Sequence, residues 1–337
     1  MGQSSLLLAV LALGMPLANT LPGIAKEVRV YSGRHYNTDR QVFKTFSEKT
    51  GIKVRLIEAT GITLIERLKR EGKNSNADVI LLVDSARINN AAKEGLLAPI
   101  QSEQIKKNVP ARYRDPNNRW FGLTRRVRAV IVNPKLVDPS SIKTYADLAK
   151  PNLKGKLCLR KRKNVYNQSL VADQIVLKGE VNATNWVNGM VKNINQPFFG
   201  GDTSLIRAVG QGKCAVGVVN HYYLARMQAG ASGQNDQKLT QPIKLIMPNP
   251  AHVNISAAGM AKSATNKKEA IALITFLTSA KGSSSLAGPT YEYPLNGFGT
   301  SSQLNNFGRF TPDNVSISQL GSTQKRAIQI MANSGWR

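Results

Sequence analysis

The chain is poor in the residues that form the commonest protein metal sites. Its 337 residues include two cysteines, Cys158 and Cys214, and three histidines, His35, His221 and His252. Zinc sites use Cys and His at short ligand spacings, and calcium loops use clustered Asp and Glu. Neither pattern occurs in the sequence. The common zinc and calcium motifs are therefore excluded.

The chain also lacks the motifs of several enzyme classes. It has no Gly-x-Ser-x-Gly, no His-Glu-x-x-His, no P-loop, and no Gly-x-Gly-x-x-Gly in a βαβ context. These motifs position nucleophiles, metals and phosphates for catalysis. A secreted enzyme is therefore disfavoured, and we expect no catalytic residues.

Acidic residues are scarce: the chain has 20 Asp and Glu but 46 Lys and Arg, which gives a formal net charge of +26. Such a charge attracts anions, nucleic acids and anionic surfaces. The basic residues are scattered, however, and cluster only at 124–128 and 159–163. Aromatic residues make up 6% of the chain and do not interleave with these clusters, as they do in RNA-binding modules. We therefore expect no nucleic-acid partner. A general solvation or surface-charge adaptation is the simpler interpretation, and the charge alone does not identify a partner.

Long apolar runs are confined to the N-terminus. Residues 6–17 are too short and interrupted to span a bilayer, and small residues follow them before Lys26. This order is typical of a secretory signal peptide. We predict a signal peptide over residues 1–25, cleavage near Ala25 and a periplasmic mature protein. In an exported protein, Cys158 and Cys214 are expected to form one disulfide, with two buried free thiols as the alternative.

The remaining length suffices for two domains, and strand and helix signals alternate along it. Strands are predicted at 28–31, 52–57 and 77–83, with helices between them that begin at capping boxes over 38–41 and 63–66. Gly51 is expected to end the first helix. This β-α-β-α-β order predicts an α/β domain with a mostly parallel sheet.

A second α/β set follows a long strand predicted at 127–134. This set has predicted strands at 157–159 and 215–219 and predicted helices around 168–177 and 204–209. The segments after it predict a strand at 255–260, a helix at 267–277 and one or two helices within 315–331. We expect two lobes joined by a hinge around a central cleft. The N-terminal lobe is expected to contain 26–125 plus about 250–300, and the C-terminal lobe 126–249 plus about 301–337.

Tyrosines recur in the loops that follow predicted strands. His35-Tyr36 follows the first strand, Tyr166 follows 157–159, and Tyr222-Tyr223 follows 215–219. In open α/β sheets, ligands bind beyond the carboxyl ends of the strands. Each tyrosine taken alone is most simply a half-buried aromatic, but their common placement in both lobes favours a shared site.

Phenols gathered in a cleft are suited to a hard, highly charged cation. A phenol has a pKa of about 10 and ionises only beside a strong positive charge. A bound metal supplies such a charge, and phenolate oxygen suits Fe(III) better than soft metals. Arg226 lies within one helical turn of Tyr222 and Tyr223, so it is placed to offset the phenolate charge.

Several segments together resemble the periplasmic iron-binding proteins of bacterial ABC importers, most closely their cyanobacterial branch. The segments that carry the resemblance are 31–39, 144–148 with 154–156, 220–223, 252–256 and 292–295. The resemblance covers nearly the whole mature chain. It implies a two-lobed periplasmic-binding-protein fold of class II, with transferrin-like lobes.

The resemblance also implies a ligand set. Tyr36 from one lobe and Tyr166, Tyr222 and Tyr223 from the other would bind iron, and His35 matches a position that can add a nitrogen ligand. His221 and His252 are expected to be structural. Three tyrosines on one lobe suggest that no synergistic anion is required. Arg126, in the hinge segment, and Arg226 would offset charge from behind the ligands and tune the preference between Fe(III) and Fe(II).

The function that follows is capture of extracytoplasmic iron, Fe(III) first and Fe(II) as a second form, and delivery to an inner-membrane ABC permease. The protein is expected to act as a monomer without catalysis. The alternative is a binding protein of an ABC importer for a small anionic solute. The positive charge favours that alternative, whereas the tyrosine pair with the upstream His-Tyr does not.

Overall fold

The computed structural model describes residues 26–34, 36–299 and 301–337. The predicted signal peptide and His35 lie outside these residues. Within them the strands are β1 Glu27–Ser32, β2 Lys53–Glu58, β3 Val79–Val83, β4 Leu97–Ala98, β5 Phe121–Val132, β6 Leu157–Cys158, β7 Val216–Asn220, β8 Lys244–Ile246, β9 Val253–Ala261 and β10 Tyr293–Pro294.

The α-helices of the same residues alternate with these strands in the first two thirds of the chain. They are α1 Asp39–Thr50, α2 Gly61–Glu71, α3 Ser85–Lys93, α4 Glu103–Asn108, α5 Val165–Lys178, α6 Glu180–Lys192, α7 Asp202–Gly210, α8 His221–Gln228, α9 Gln234–Thr240, α10 Lys267–Thr278, α11 Ala280–Ala287, α12 Ser302–Asn306 and α13 Ile317–Asn333. In the stretches that the structure describes, no helix is both long and apolar enough to cross a membrane.

The sheet is mixed, with strand order β2-β1-β3-β9-β5-β7-β6. Strands β1, β2 and β3 are parallel to one another, as are β6 and β7. The central strands β9 and β5 run antiparallel to their neighbours. The expectation of a mostly parallel sheet is therefore wrong for the centre, because two strands return to the sheet from distant parts of the chain.

Strand β5 joins two halves of the structure. Its first part, as far as Val127, pairs with β9, and its second part, from Arg128, pairs with β7. One buried apolar core surrounds β1, β3 and β9, and others surround β7. The structure thus has two α/β lobes that share one strand. The boundaries between the lobes, expected between residues 125 and 126 and near residues 250 and 300, stay a prediction.

Helix ends follow the expected chemistry with two corrections. Gly51 ends α1 in the left-handed conformation, at φ 71°. Thr38, however, makes no side-chain cap on α1, and α2 begins two residues before Thr63. The hydroxyl of Thr60 caps α2 by accepting a hydrogen bond from the Thr63 amide at 3.2 Å. Both predicted capping boxes are therefore wrong.

Two further features link distant segments. Cys158, at the end of β6, and Cys214, just before β7, form a disulfide. The tail forms one helix, α13, which packs against α3 and α5. Helix α3 follows β3 in the first lobe, and α5 follows β6 in the second lobe. Helix α13 therefore contacts both lobes.

Candidate metal centre

Tyr36 lies in the loop between β1 and α1, at the carboxyl end of a parallel strand. The Arg34 guanidinium lies 5.0 Å from the centre of its ring. Arg34 is itself fixed by Asp39, whose carboxylate accepts a hydrogen bond at 2.7 Å. A short loop with a buried ion pair therefore positions Tyr36 towards the other lobe.

The other three tyrosines lie in the first turns of two helices. Tyr166 is in the first turn of α5, where Asn164 caps the helix by accepting from the Tyr166 amide at 3.1 Å. Tyr222 and Tyr223 are in the first turn of α8, directly after β7. Helix N-termini carry partial positive charge, which stabilises anions such as phenolates.

The four tyrosines converge. The rings of Tyr222 and Tyr223 are 4.4 Å apart, and Asn220 donates a hydrogen bond to the Tyr222 hydroxyl at 3.3 Å. Electrostatic repulsion from Tyr166 helps to raise the pKa values of Tyr36, Tyr222 and Tyr223. The structure therefore brings together in one place all four tyrosines that the sequence predicted.

Burial keeps the phenols of Tyr36, Tyr222 and Tyr223 protonated in the absence of a cation. Desolvation is the main cause that raises the pKa values of Tyr36 and Tyr222 well above the usual value for a phenol. The pKa of Tyr223 rises to about 12, again mainly by burial. A cation that enters the site must supply the charge that ionises them.

Arginines lie against the tyrosine rings from both lobes. The Arg126 guanidinium lies 5.2 Å from the ring centre of Tyr166, and Arg160 lies 5.9 Å from it. Arg126 is in β5 next to Val127, where the pairing of this strand passes from β9 to β7. Arg126, which was predicted to lie in the hinge, therefore contacts the candidate ligand Tyr166.

Carboxylates balance these arginines. The guanidinium groups and the carboxylates around the site are Arg34, Arg126, Arg128 and Arg160, with Asp39, Asp84, Asp202 and Glu292. Glu292 is fully buried and lies 3.1 Å from Arg34 and 3.8 Å from Arg126. Because four positive groups face four negative ones, this set supplies no excess charge to ionise the phenols.

His221 is structural, as expected. Its Nδ1 accepts a hydrogen bond from the Val127 amide at 3.1 Å, and its Nε2 lies 3.0 Å from the Tyr291 carbonyl. The ring stacks on Tyr293 at 4.5 Å. Burial lowers the pKa of His221 to about 4, so the ring is neutral at pH 7.

The described contacts of Arg226 do not reach the tyrosines. Arg226 lies in the last turn of the short helix α8 and is half-buried. Among the residues the structure describes, its side chain makes no hydrogen bond, ion pair or ring contact with a candidate ligand. Its role behind the ligands stays a prediction.

Sequence reasoning missed Arg34, Arg160 and Glu292. Arg34 precedes the His-Tyr pair and Arg160 is in the basic run 159–163, so proximity in sequence could have suggested both. Glu292 is 258 residues from Arg34. Its membership in the segment 292–295 was the only signal available for it.

The fold and the site together define a two-lobed binding protein with phenols and arginines gathered where the lobes meet. A family model described as "Bacterial extracellular solute-binding protein" matches residues 32–283. The chain belongs to this family.

Relatives with curated names include "Iron uptake protein A1" of Synechocystis sp., which is 39% identical over 96% of this chain and 90% of the relative. "Major ferric iron-binding protein" of Neisseria meningitidis is 29% identical over 87% of each chain. The predicted resemblance to iron-binding proteins of importers, including the cyanobacterial branch, is confirmed.

Solved structures agree. Trichodesmium IdiA (FutA) in complex with iron and citrate ligands is 40% identical, covers 92% of this chain and 100% of that chain, and has a TM-score of 0.89. The ferric binding protein from Campylobacter jejuni is 33% identical over the same share of this chain and has a TM-score of 0.85. The predicted two-lobed periplasmic-binding-protein fold is confirmed.

Proposed function

We propose that this chain captures iron, Fe(III) first, between its two lobes and delivers it to an ABC permease. The observation that supports this most strongly is the convergence of Tyr36, Tyr166, Tyr222 and Tyr223 from two lobes. Relatives named for iron uptake and ferric iron binding support the same conclusion.

The charges of the site favour a trivalent ion. Four phenolates around Fe(III) leave a net charge of −1, and around Fe(II) they leave −2. The arginine–carboxylate set is already balanced, so a site for Fe(II) is expected to keep one phenol protonated. Fe(III) is therefore the preferred form, and Fe(II) is a weaker second ligand.

Further ligands belong to the same proposal. His35 precedes Tyr36 and is proposed to add a nitrogen ligand. Arg126 and Arg226 are proposed to lie behind the ligands. The positive charge of Arg126 opposes the rise in the pKa of Tyr222, although Asp84 and Glu292 balance its net charge, and Arg226 is proposed to offset phenolate charge that this balanced set leaves. No synergistic anion is required, because phenolates already exceed the charge of the ion.

The biological setting follows from the family. We propose a monomer that is exported to the periplasm, binds without catalysis and passes its iron to an inner-membrane permease. Nucleic acid is not expected to bind. Closure of two lobes on a ligand is the usual motion of such proteins.

An Fe(III) titration tests the proposal. Phenolate-to-iron charge transfer should give a coloured protein with one iron per chain. The double substitution Tyr222→Phe/Tyr223→Phe should abolish the colour. The buried Tyr113, which stacks on Arg112 away from the site, supplies the control Tyr113→Phe, which should stay coloured. Titrations with and without citrate or bicarbonate test the anion, and anaerobic titrations test Fe(II).

A colourless wild-type protein would overturn the proposal. Tight binding of a small organic anion without iron would support the anionic-solute alternative instead. Equal colour in the wild type and the double variant would place iron elsewhere on the chain.

A further inference from the structure

A second cluster of candidate ligands contains none of the four tyrosines, although its His252 lines the same small cavity as Tyr166 and Arg126. It consists of Asp173, His252 and Asp313, whose ligand atoms all lie within 4.8 Å of one another. The three side chains are buried, with 0%, 2% and 5% of their surface exposed. Asp173 is seven residues beyond Tyr166 on α5, about 10 Å along the helix. Asp173 and Asp313 are therefore not explained as ligands of the tyrosine site, whereas His252 lies between the cluster and the cavity that Tyr166 lines.

The three residues come from separate segments. Asp173 is on α5, His252 directly precedes β9, and Asp313 precedes α13. The last two segments are held together by backbone hydrogen bonds, including the Asp313 amide donating to the Ala251 carbonyl at 3.0 Å. The cluster therefore joins α5 of one lobe to the connection that enters β9 and to the tail.

One atom of each residue lacks a hydrogen-bond partner. These atoms are Asp173 Oδ1, His252 Nδ1 and Asp313 Oδ2. The other carboxylate oxygens are used: Asp173 Oδ2 accepts from Gln174 at 2.9 Å, and Asp313 Oδ1 accepts from the Val315 amide at 2.8 Å. A buried polar atom without a partner carries a large desolvation cost. Three such atoms directed at one another need a positive charge between them.

The nearby side chains do not supply that charge in full. Although burial lowers the pKa of His252, Asp173 raises it overall, so a protonated His252 would place one positive charge 3.2 Å from Asp173 Oδ1 and would leave Asp313 Oδ2 without a partner. Arg112 lies 3.9 Å from Asp313 Oδ1, but its side chain is partly exposed and lies at the oxygen that is already bonded. The Tyr145 hydroxyl donates to the Arg128 carbonyl and accepts from the His252 amide, so it has no proton to offer the cluster. Burial and Asp173 together raise the pKa of Asp313 to about 6.

The geometry points to a second metal site: we propose that Asp173, His252 and Asp313 bind a divalent cation of the zinc class. Donors bound to zinc at about 2.0–2.2 Å lie roughly 3–4 Å apart. His252 Nδ1 lies 3.2 Å from Asp173 Oδ1, which is in this range. Two carboxylates and a neutral imidazole give a net charge of −2, which a divalent cation cancels. The imidazole favours Zn²⁺ over Mg²⁺ or Ca²⁺.

The role of such an ion is structural. It would fix α5, the connection into β9 and the tail to one another, next to the strand shared by the lobes. This proposal does not depend on iron binding, and its test uses a protein without the tyrosine pair.

The experiment uses the full mature chain carrying Tyr222→Phe/Tyr223→Phe, stripped with a chelator. Zn²⁺ is added, excess is removed by gel filtration, and retained zinc is measured by mass spectrometry. About one zinc per chain is expected, with a higher melting temperature than in the stripped protein. Asp173→Asn and His252→Gln should each weaken zinc binding by about tenfold or more. Asp138→Asn, at an exposed aspartate, is the matched control and should retain zinc.

A second measurement keeps the test decisive if a variant folds poorly. X-ray absorption at the zinc edge of the folded parent protein should show a first shell of oxygen with one imidazole nitrogen and no sulfur. Absence of retained zinc would overturn the proposal. A proton shared among Asp173, His252 and Asp313 would then supply the positive charge in place of a metal ion. Equal retention by the Asp173→Asn and Asp138→Asn proteins would overturn it as well, since zinc would then lie elsewhere.

Discussion

Tyr223 is a proposed iron ligand at which protons would compete with the metal. Burial raises its pKa to about 12, so the phenol is protonated at neutral pH and must lose its proton to bind a metal. The affinity for Fe(III) is therefore expected to fall as the pH falls. Tyr223→Phe removes one such proton, so the slope of log affinity against pH should decrease by about one.

Competition with a chelator, measured from about pH 6 to 8, gives this slope. Tyr113→Phe should keep the wild-type slope. An unchanged slope in Tyr223→Phe would mean that this phenol does not ligate iron.

Arg126 and Arg226 differ in burial, and this difference predicts different effects of substitution. Arg126 is 1% exposed and lies 3.8 Å from both Asp84 and Glu292. Arg126→Met would leave the buried Asp84 without an ionic partner, whereas Glu292 keeps Arg34 at 3.1 Å. Loss of one partner of a buried ion pair costs about 3–5 kcal/mol of unfolding free energy. Arg226→Ala, at a half-buried position, should change stability by less than about 1 kcal/mol.

Urea unfolding measures stability in both variants, and iron retention is measured in parallel. If these arginines tune the site, each variant should lose Fe(II) and Fe(III) unequally. Equal losses of the two ions would show that the arginines do not distinguish them.

The individual candidate ligands were predictable where local sequence carries the signal. Tyr36, Tyr166 and Tyr222 follow strands with clear apolar patterns, and the parallel pairing of β1 and of β6 places those strand ends at the sheet edge. Glu292 was not predictable from the chain alone, because its partners come from β5 and from the loop after β1. Long-range ion pairing leaves no periodic pattern in a sequence.

Among the secondary-structure elements, β6 and β7 are linked covalently as well as by pairing. The disulfide between Cys158 and Cys214 closes a segment with a sequence separation of 56. In the loop-entropy account, such a link contributes about 4 kcal/mol. The pair Cys158→Ala/Cys214→Ala should therefore lower the unfolding free energy by about 3–4 kcal/mol.

Denaturant unfolding tests this expectation, and iron stoichiometry at low denaturant serves as the control, since neither cysteine is a candidate ligand. Reduction of the wild-type protein should reproduce the loss. A stability that is unchanged in both cases would mean that the pairing of β6 and β7 holds the segment without the link.

The elements themselves were predicted more fully than their arrangement. The pattern at 127–134 indicated β5, but the strand begins at Phe121 because its first residues pair with β9 and β10 rather than following a local pattern. The helical turn at residues 222–226 was expected, whereas the helices α4, α6, α9, α11 and α12 were not predicted. Parallel neighbours were inferred from the order of elements, whereas the antiparallel return of β9 depends on contacts that only the folded chain makes.

For the protein as a whole, α13 is a helix that packs against both lobes, through α3 of one and α5 of the other. It approaches α3 closely at Gly321, where an added Cβ would lie 2.8 Å from the Cβ of Asn89. Gly321→Val should therefore push α13 away from α3, at a cost of about 1–3 kcal/mol, and should speed the release of iron.

Ser322→Val, at an exposed position of the same helix, is the matched control. Iron release to a chelator is followed by loss of colour. Equal release rates in the two variants would show that contact between α13 and α3 does not hold the lobes closed.

Strand β5 has one more consequence, which concerns how the protein comes apart on heating. Its residues as far as Val127 belong to the sheet of one lobe, and those from Arg128 belong to the sheet of the other. Melting of either lobe removes the hydrogen-bonded neighbours of a strand that the other lobe also needs. The two lobes should therefore unfold in a single cooperative transition, with equal calorimetric and van't Hoff enthalpies. Two resolved heat-absorption peaks would show that each lobe keeps its half of the strand independently.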